Sequence, residues 1–168
     1  SFLYCKKVPR MGKRTYLHDI NCNRNLCYSD RSSHLFNIKK EGVVVYMNER
    51  ILIVDDDVMN LKVAESVLKD KDYEVLMAET GMECLGILEK ETVDLILLDI
   101  EMPGMNGIQT LSEIHKEGMF PDVPVMLLSG TANADYIIKA CRLGATGYIK
   151  KPLVPQDLLG QVEKAFSQ

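Results

Sequence analysis

The 168 residues are 46% hydrophobic and 26% charged, a balance that builds a globular core and excludes collagen-like, coiled-coil and low-complexity chains. A formal net charge of -4 argues against non-specific binding of nucleic acid. No stretch reaches the ~20 apolar residues of a transmembrane helix, no basic region followed by a long apolar run marks a secretory signal, and five scattered cysteines suit free thiols in a reducing cytosol rather than a disulfide scaffold.

Charge divides the chain into two unlike pieces. Residues 1–46 carry 9 Lys/Arg and 3 Asp/Glu, whereas residues 47–168 carry 11 and 21. The first piece has isolated apolar residues, apart from the run Val43 to Tyr46, and no hydrophobic periodicity. It is expected to be a basic, disordered extension, or upstream sequence translated from a misplaced start: Lys40-Glu41-Gly42 is compatible with a purine-rich ribosome-binding sequence ahead of Met47. His18, Cys22, Cys27 and His34 superficially resemble zinc ligands, but their spacing lacks the paired cysteines of a common finger, and no zinc site is expected.

From Met47 onward, strand and helix patterns alternate. Ile51–Val54 is a short apolar run, followed by helical spacing over 58–69. Glu74–Ala78 reads as the second strand, and Thr80 with Glu83 as a capping box for a helix running to about Glu91. Leu95–Leu98 is the third strand. A turn-rich stretch from Met102 to Gly107 leads into a helix over about 108–117, with Asn106-Gly107 read as loop and helix start rather than hairpin. Val123–Leu128, Ala132–Leu143, Thr146–Lys150 and Pro155–Phe166 complete the series as strand, helix, strand and helix. The strands are continuous apolar runs, so both of their faces should be buried. That predicts an α/β fold: a doubly wound five-stranded parallel sheet with helices on both faces, of flavodoxin-like strand order 2-1-3-4-5.

In such a sheet, ligands bind beyond the carboxyl ends of the strands, at the switch point between strands one and three. Strand one runs into Asp55-Asp56-Asp57 and strand three into Asp99, while strand four delivers Ser129 and strand five Lys150-Lys151-Pro152. Clustered carboxylates repel unless a cation joins them, and an all-oxygen set with spare positions favours Mg²⁺. Asp99 could then act as a carboxylate nucleophile toward phosphorus, with Lys151 and Ser129 on the phosphoryl oxygens. Each acid alone reads as an ordinary loop residue or a helix N-cap, as Asp57 does. Five such groups at one edge favour a site.

Ile51–Asp57, Leu98–Gly107, Leu128-Ser129-Gly130 and Gly147–Pro152 together resemble the receiver domain of two-component response regulators, over about residues 49–167. The resemblance implies phospho-acceptance at Asp99, Mg²⁺ held by Asp55, Asp56, Asp99 and the backbone carbonyl of Glu101, and a phosphoryl contact from Lys151. It also implies a switch made of Ser129 and Tyr148, a cis Lys151–Pro152 bond, and tuning of phosphate lifetime by Glu101 and Thr131. The implied donor is a sensor histidine kinase or histidine phosphotransfer protein. The implied readout is an unknown output protein at the surface of the fourth helix, fifth strand and fifth helix, roughly residues 131–166. This reading describes a stand-alone cytoplasmic signalling switch, not an enzyme, with no direct nucleic-acid contact and no membrane insertion.

Two other classes compete with it. A Mg²⁺-dependent phosphatase of the haloacid dehalogenase kind would need Asp where Glu101 stands, and a nucleophile after the first strand. A phosphorylation-independent interaction module would leave the five-residue set without a purpose. Among lesser signals, Met102, Met105, Met119 and Met126 read as core or loop fillers, His115 as a surface residue, and Cys84 and Cys141 as inert thiols.

Overall fold

A computed structural model describes residues 48–116, 123–130 and 134–167, with three short strands before them. The chain divides into two units, Ser1–Asn48 and Glu49–Gln168. In the first, within a piece expected to be disordered, β1 (Cys27–Ser29), β2 (Leu35–Ile38) and β3 (Val44–Tyr46) pair antiparallel in that order. His18, Cys22, His34 and the segment 40–42 lie outside the described residues.

The second unit is the alternating α/β domain. Its strands are β4 (Arg50–Val54), β5 (Glu74–Ala78), β6 (Leu95–Asp99), β7 (Val125–Ser129) and β8 (Gly147–Lys150). They form one parallel sheet of order β5-β4-β6-β7-β8, the predicted 2-1-3-4-5. The helices are α1 (Val58–Lys69), α2 (Gly81–Leu88), α3 (Gly107–Ile114), α4 (Ala134–Arg142) and α5 (Pro155–Phe166).

Alternation along each strand divides the core in two. Leu52, Val54, Ile96, Leu98, Val125 and Leu127 face Cys84 and Leu88 of α2, Ile108, Leu111 and Ile114 of α3, and Ala140 of α4. Ile51, Ile53, Leu95, Leu97, Met126 and Leu128 face Leu61, Ala64 and Leu68 of α1 and Leu158 and Val162 of α5. Each Val, Leu, Ile or Met among them contributes about 1.5–3 kcal/mol by leaving water. The expectation that both strand faces are buried holds for β4, β6 and β7, whereas the edge strands β5 and β8 are only partly covered. Helix α4 is the least anchored: of its described side chains only Ala140 is fully buried, while Tyr136 and Ile138 are about half exposed.

The helix starts follow local chemistry. Asp57 caps α1, its carboxylate accepting from the Met59 amide at 2.8 Å. Thr80 caps α2 by accepting from Glu83 N at 3.1 Å, but Glu83 returns its bond to the Glu79 amide, one residue earlier than a capping box requires. The full reciprocal box belongs to Asn106 and Gln109 at α3. Helix α2 ends at Leu88, short of the predicted Glu91, and the chain beyond it tightens: the Lys90 amide makes an i to i−3 bond to the Ile87 carbonyl, which the Glu91 amide shares. Strand β7 starts at Val125, later than predicted: Pro124 has no N–H to give a ladder, although its carbonyl accepts from Ile96 N at 3.0 Å. At the opposite end of the sheet from the acids, Arg50 ties β4 to Glu74 at 2.9 Å and Glu91 at 3.0 Å.

Gly107 opens α3 against the end of β6. A Cβ there would overlap the Asp99 carbonyl oxygen and lie 2.7 Å from Ile100 Cα, backbone atoms that cannot swing aside. Gly160, in the exposed interior of α5, has open space around it. In urea denaturation, Gly107→Ala is expected to cost roughly 2–4 kcal/mol through backbone overpacking. Gly160→Ala is expected to add about 0.5–1 kcal/mol by helix propensity.

Candidate functional site

The sheet ladder runs directly into the site. The Asp55 amide donates to the Ala78 carbonyl at 3.1 Å, Ile100 N to Leu128 O at 3.0 Å and Lys151 N to Ser129 O at 2.8 Å. Each backbone that bears or borders a candidate residue is thereby fixed by its neighbouring strand. Asp55 is fully buried, Asp99 and Ser129 are each 1% exposed, and Asp56 is exposed. One carboxylate oxygen from each of Asp55, Asp56 and Asp99 falls within 4.8 Å of the others.

Lys151 Nζ lies 2.6 Å from Asp55 Oδ2 and 2.6 Å from Asp99 Oδ2, with 16% of its side chain exposed. Asp99 Oδ1 accepts from the Glu101 amide at 3.2 Å. Asp55 Oδ1 accepts from the Asp57 amide at 2.9 Å and from Asn60 Nδ2 at 3.1 Å. The Tyr148 hydroxyl donates to the Ser129 backbone carbonyl at 3.3 Å, so the strand-end serine and the aromatic of β8 are in direct contact. The Lys151–Pro152 peptide is cis, as the resemblance implied.

Electrostatics follow from burial. Desolvation pushes the Asp99 carboxyl above the ordinary carboxylate value, and the Asp55 charge adds to it, against the opposing pull of the Lys151 ammonium and the Glu101 N–H. Burial works against the Lys151 ammonium, but bonds to Asp55 and Asp99 overcome it and hold its pKa above that of a free lysine. With all three acids ionised, three negative charges face one positive charge. A hard divalent cation fits this donor set: it is all oxygen, carries an excess of two negative charges and includes an exposed member, Asp56, beside two buried ones.

Every predicted residue inside the described segments reaches this edge or its flank. Glu101 is exposed beside Asp99, and Thr131 lies outside the described residues. Asn60 was missed by the sequence reading. Its signal was a poor helix former in the first turn of α1, where alanine or leucine would propagate the helix better. Met102 and Met126 are buried, Met105 is half-buried in its loop, and Met119 lies outside the described residues. Cys84 is an inert thiol, buried and pushed up to about 12. His115 departs from its surface assignment. It is half-buried at the end of α3, its ring lies about 3.5 Å from where a Cβ on Gly144 would sit, and Nδ1 has no hydrogen-bond partner among the described residues.

A parallel sheet of this order, with carboxylates, a lysine and a serine at its carboxyl edge, places the chain in the class of flavodoxin-like α/β domains that carry their functional residues at the switch point. The family model for the response regulator receiver domain matches residues 51–163, and the chain belongs to that family. It is a receiver domain of two-component signalling. Chemotaxis protein CheY-3 of Vibrio cholerae is 31% identical over 126 residues, covering 74% of this chain and 97% of that protein. The transcriptional regulatory protein ZraR of Escherichia coli is 32% identical over 120 residues, covering 71% of this chain. The chain spans only 27% of the length of ZraR. Among solved structures, a CheY-like receiver domain from Methanospirillum hungatei superposes with a TM-score of 0.68 at 35% identity, covering 72% of this chain and 95% of that one. CheY4 of Vibrio cholerae gives 0.68 at 27% identity, covering 71% and 99%.

The raised Asp99 pKa has a consequence for stability. Between the ordinary carboxylate value and the raised one, the folded chain binds more protons than the unfolded chain, so this group adds stability as pH falls through that window. Asp99→Asn removes the buried charge and leaves Lys151 paired with Asp55. Without metal at pH 7 it is expected to be more stable than the wild type by roughly 1 kcal/mol or more. That advantage should shrink as pH falls through the same window. Denaturant titrations of both proteins across that range check the sign.

Proposed function

We propose that Asp99 accepts a phosphoryl group from the phosphohistidine of a sensor histidine kinase or phosphotransfer protein, and that the acylphosphate so formed switches a protein-interaction surface. The observation that carries this reading is the pairing of a buried, sheet-anchored Asp99 carboxylate with the Lys151 ammonium at 2.6 Å, within reach of Asp55 and Asp56. An Asp99 oxygen forms the new bond to phosphorus. The P–N bond breaks, its electron pair stays on the imidazole nitrogen, and a proton carried on the other ring nitrogen lets the donor leave as neutral imidazole. In this reading Lys151 stays with the phosphoryl oxygens through the transfer, and the Ser129 hydroxyl donates to one of them.

Asp55, Asp56, Asp99 and the Glu101 carbonyl would hold Mg²⁺, which supplies charge neutralisation for the transferring group. In the switch, Ser129 and Tyr148 move together, because the Tyr148 hydroxyl already rests on the Ser129 carbonyl. The population shift is read on α4, β8 and α5 by an output protein. In this reading the chain acts on no substrate beyond its own phosphorylation and slow dephosphorylation, contacts no nucleic acid directly, and works in the cytoplasm. No described helix is long and apolar enough to cross a membrane.

The test is intact mass after incubation with acetyl phosphate and Mg²⁺, and separately with a phosphorylated histidine phosphotransfer protein. The expected result is one labile phosphoryl group on the wild type, absent when Mg²⁺ is chelated and absent in Asp99→Asn. A gain that persists in Asp99→Asn, or no gain from either donor, overturns the assignment.

A further inference from the structure

We propose that Asn60 is a positioning residue, whose side-chain amide sets the orientation in which Asp55 meets a divalent cation; the inference rests on the Mg²⁺ reading above. Asp55 is fully buried, so each of its oxygens depends on protein donors rather than water. The terminal torsion of a carboxylate is soft and two-fold, and one donor on one oxygen does not fix it. The Asp57 amide reaches only Oδ1, at 2.9 Å. Asn60 Nδ2 straddles the group, 3.1 Å from Oδ1 and 3.3 Å from Oδ2, while Lys151 Nζ approaches Oδ2 at 2.6 Å. The three donors come from three elements: the chain leaving β4, the first turn of α1 and the chain leaving β8. Together they fix the plane of the carboxylate.

The helix start makes the contact possible. The Asp57 cap sets the phase of α1, and that phase puts the residue at position 60 over the Asp55 side chain. The residue type matters too. Asn donates without bringing charge, so it holds Asp55 while leaving the excess negative charge of the three acids for the cation. A lysine there would neutralise the site, and an aspartate would offer no donor. Without the Asn60 amide, Asp55 keeps, among the described residues, only the Asp57 amide and Lys151, and its orientation follows the ammonium.

The test is direct Mg²⁺ binding by isothermal titration calorimetry on the full chain, comparing the wild type with Asn60→Leu, which keeps the side-chain shape but has no donor. Asn60→Ala serves as a second variant if the first does not fold. Removing a partner that orients a metal ligand is expected to weaken Mg²⁺ affinity about tenfold or more. The Mg²⁺ concentration for half-maximal phosphorylation by acetyl phosphate should shift by the same factor. A merely structural Asn60 would lower the melting temperature and leave the Mg²⁺ dissociation constant of the folded protein unchanged, and that result overturns the proposal. A wild type that binds no Mg²⁺ overturns the metal reading and this inference with it. A wild type that binds Mg²⁺, with variants that bind it equally well, overturns only the role of Asn60.

Discussion

One ammonium holds the site together. Lys151 Nζ sits 2.6 Å from oxygens of both Asp55 and Asp99, two buried carboxylates, one just past the end of β4 and one at the end of β6. Without that charge, two buried anions would face each other across the switch point of the sheet, a costly arrangement in a medium of low dielectric. The lysine shares itself between them, and its bonds to the two carboxylates outweigh its burial and raise its pKa. The remaining features either deliver these three groups or respond to them.

Delivery is the work of the sheet. The central strands are buried on both faces, so their register is fixed from two sides, and a slip of one residue would exchange the two half-cores. The ladder continues past the last strand residues to Asp55, Ile100 and Lys151. The site residues therefore inherit the rigidity of the core, although they lie at its rim. Gly107 extends the same constraint beyond the sheet. By letting α3 start directly against the Asp99 carbonyl, it closes the loop after β6 over its own strand.

Much of this was legible in the sequence because strand ends are legible. A continuous apolar run that stops at an acid, as Ile51–Val54 stops at Asp55 and Leu95–Leu98 at Asp99, announces both a buried strand and what it delivers. Strand order then brings the ends together without knowledge of any side chain. What could not be read depends on geometry that periodicity does not encode. Asn60 meets Asp55 only because Asp57 sets the phase of α1. His115 is half-buried because the chain turns at Gly144, with a φ of +96°, and runs back beside its ring. The edge strands are less buried than their apolar sequences suggested, since being outermost depends on the order of strands and not on the sequence of any one. The return bond of Glu83 to Glu79 instead of Thr80 is a shift of one residue, below what a motif resolves.

The sparse attachment of α4 sets it apart from its four companions. Ala140 alone among its described side chains is fully buried, so translating or tilting this helix uncovers little apolar area. Moving α1 or α5 would strip Leu61, Ala64 and Leu68, or Leu158 and Val162, from the sheet. Mechanical compliance in this fold is thus concentrated on one flank, beside the strand that carries Tyr148. A small displacement at Ser129 would find its cheapest outlet there, and the rest of the frame would hardly register it.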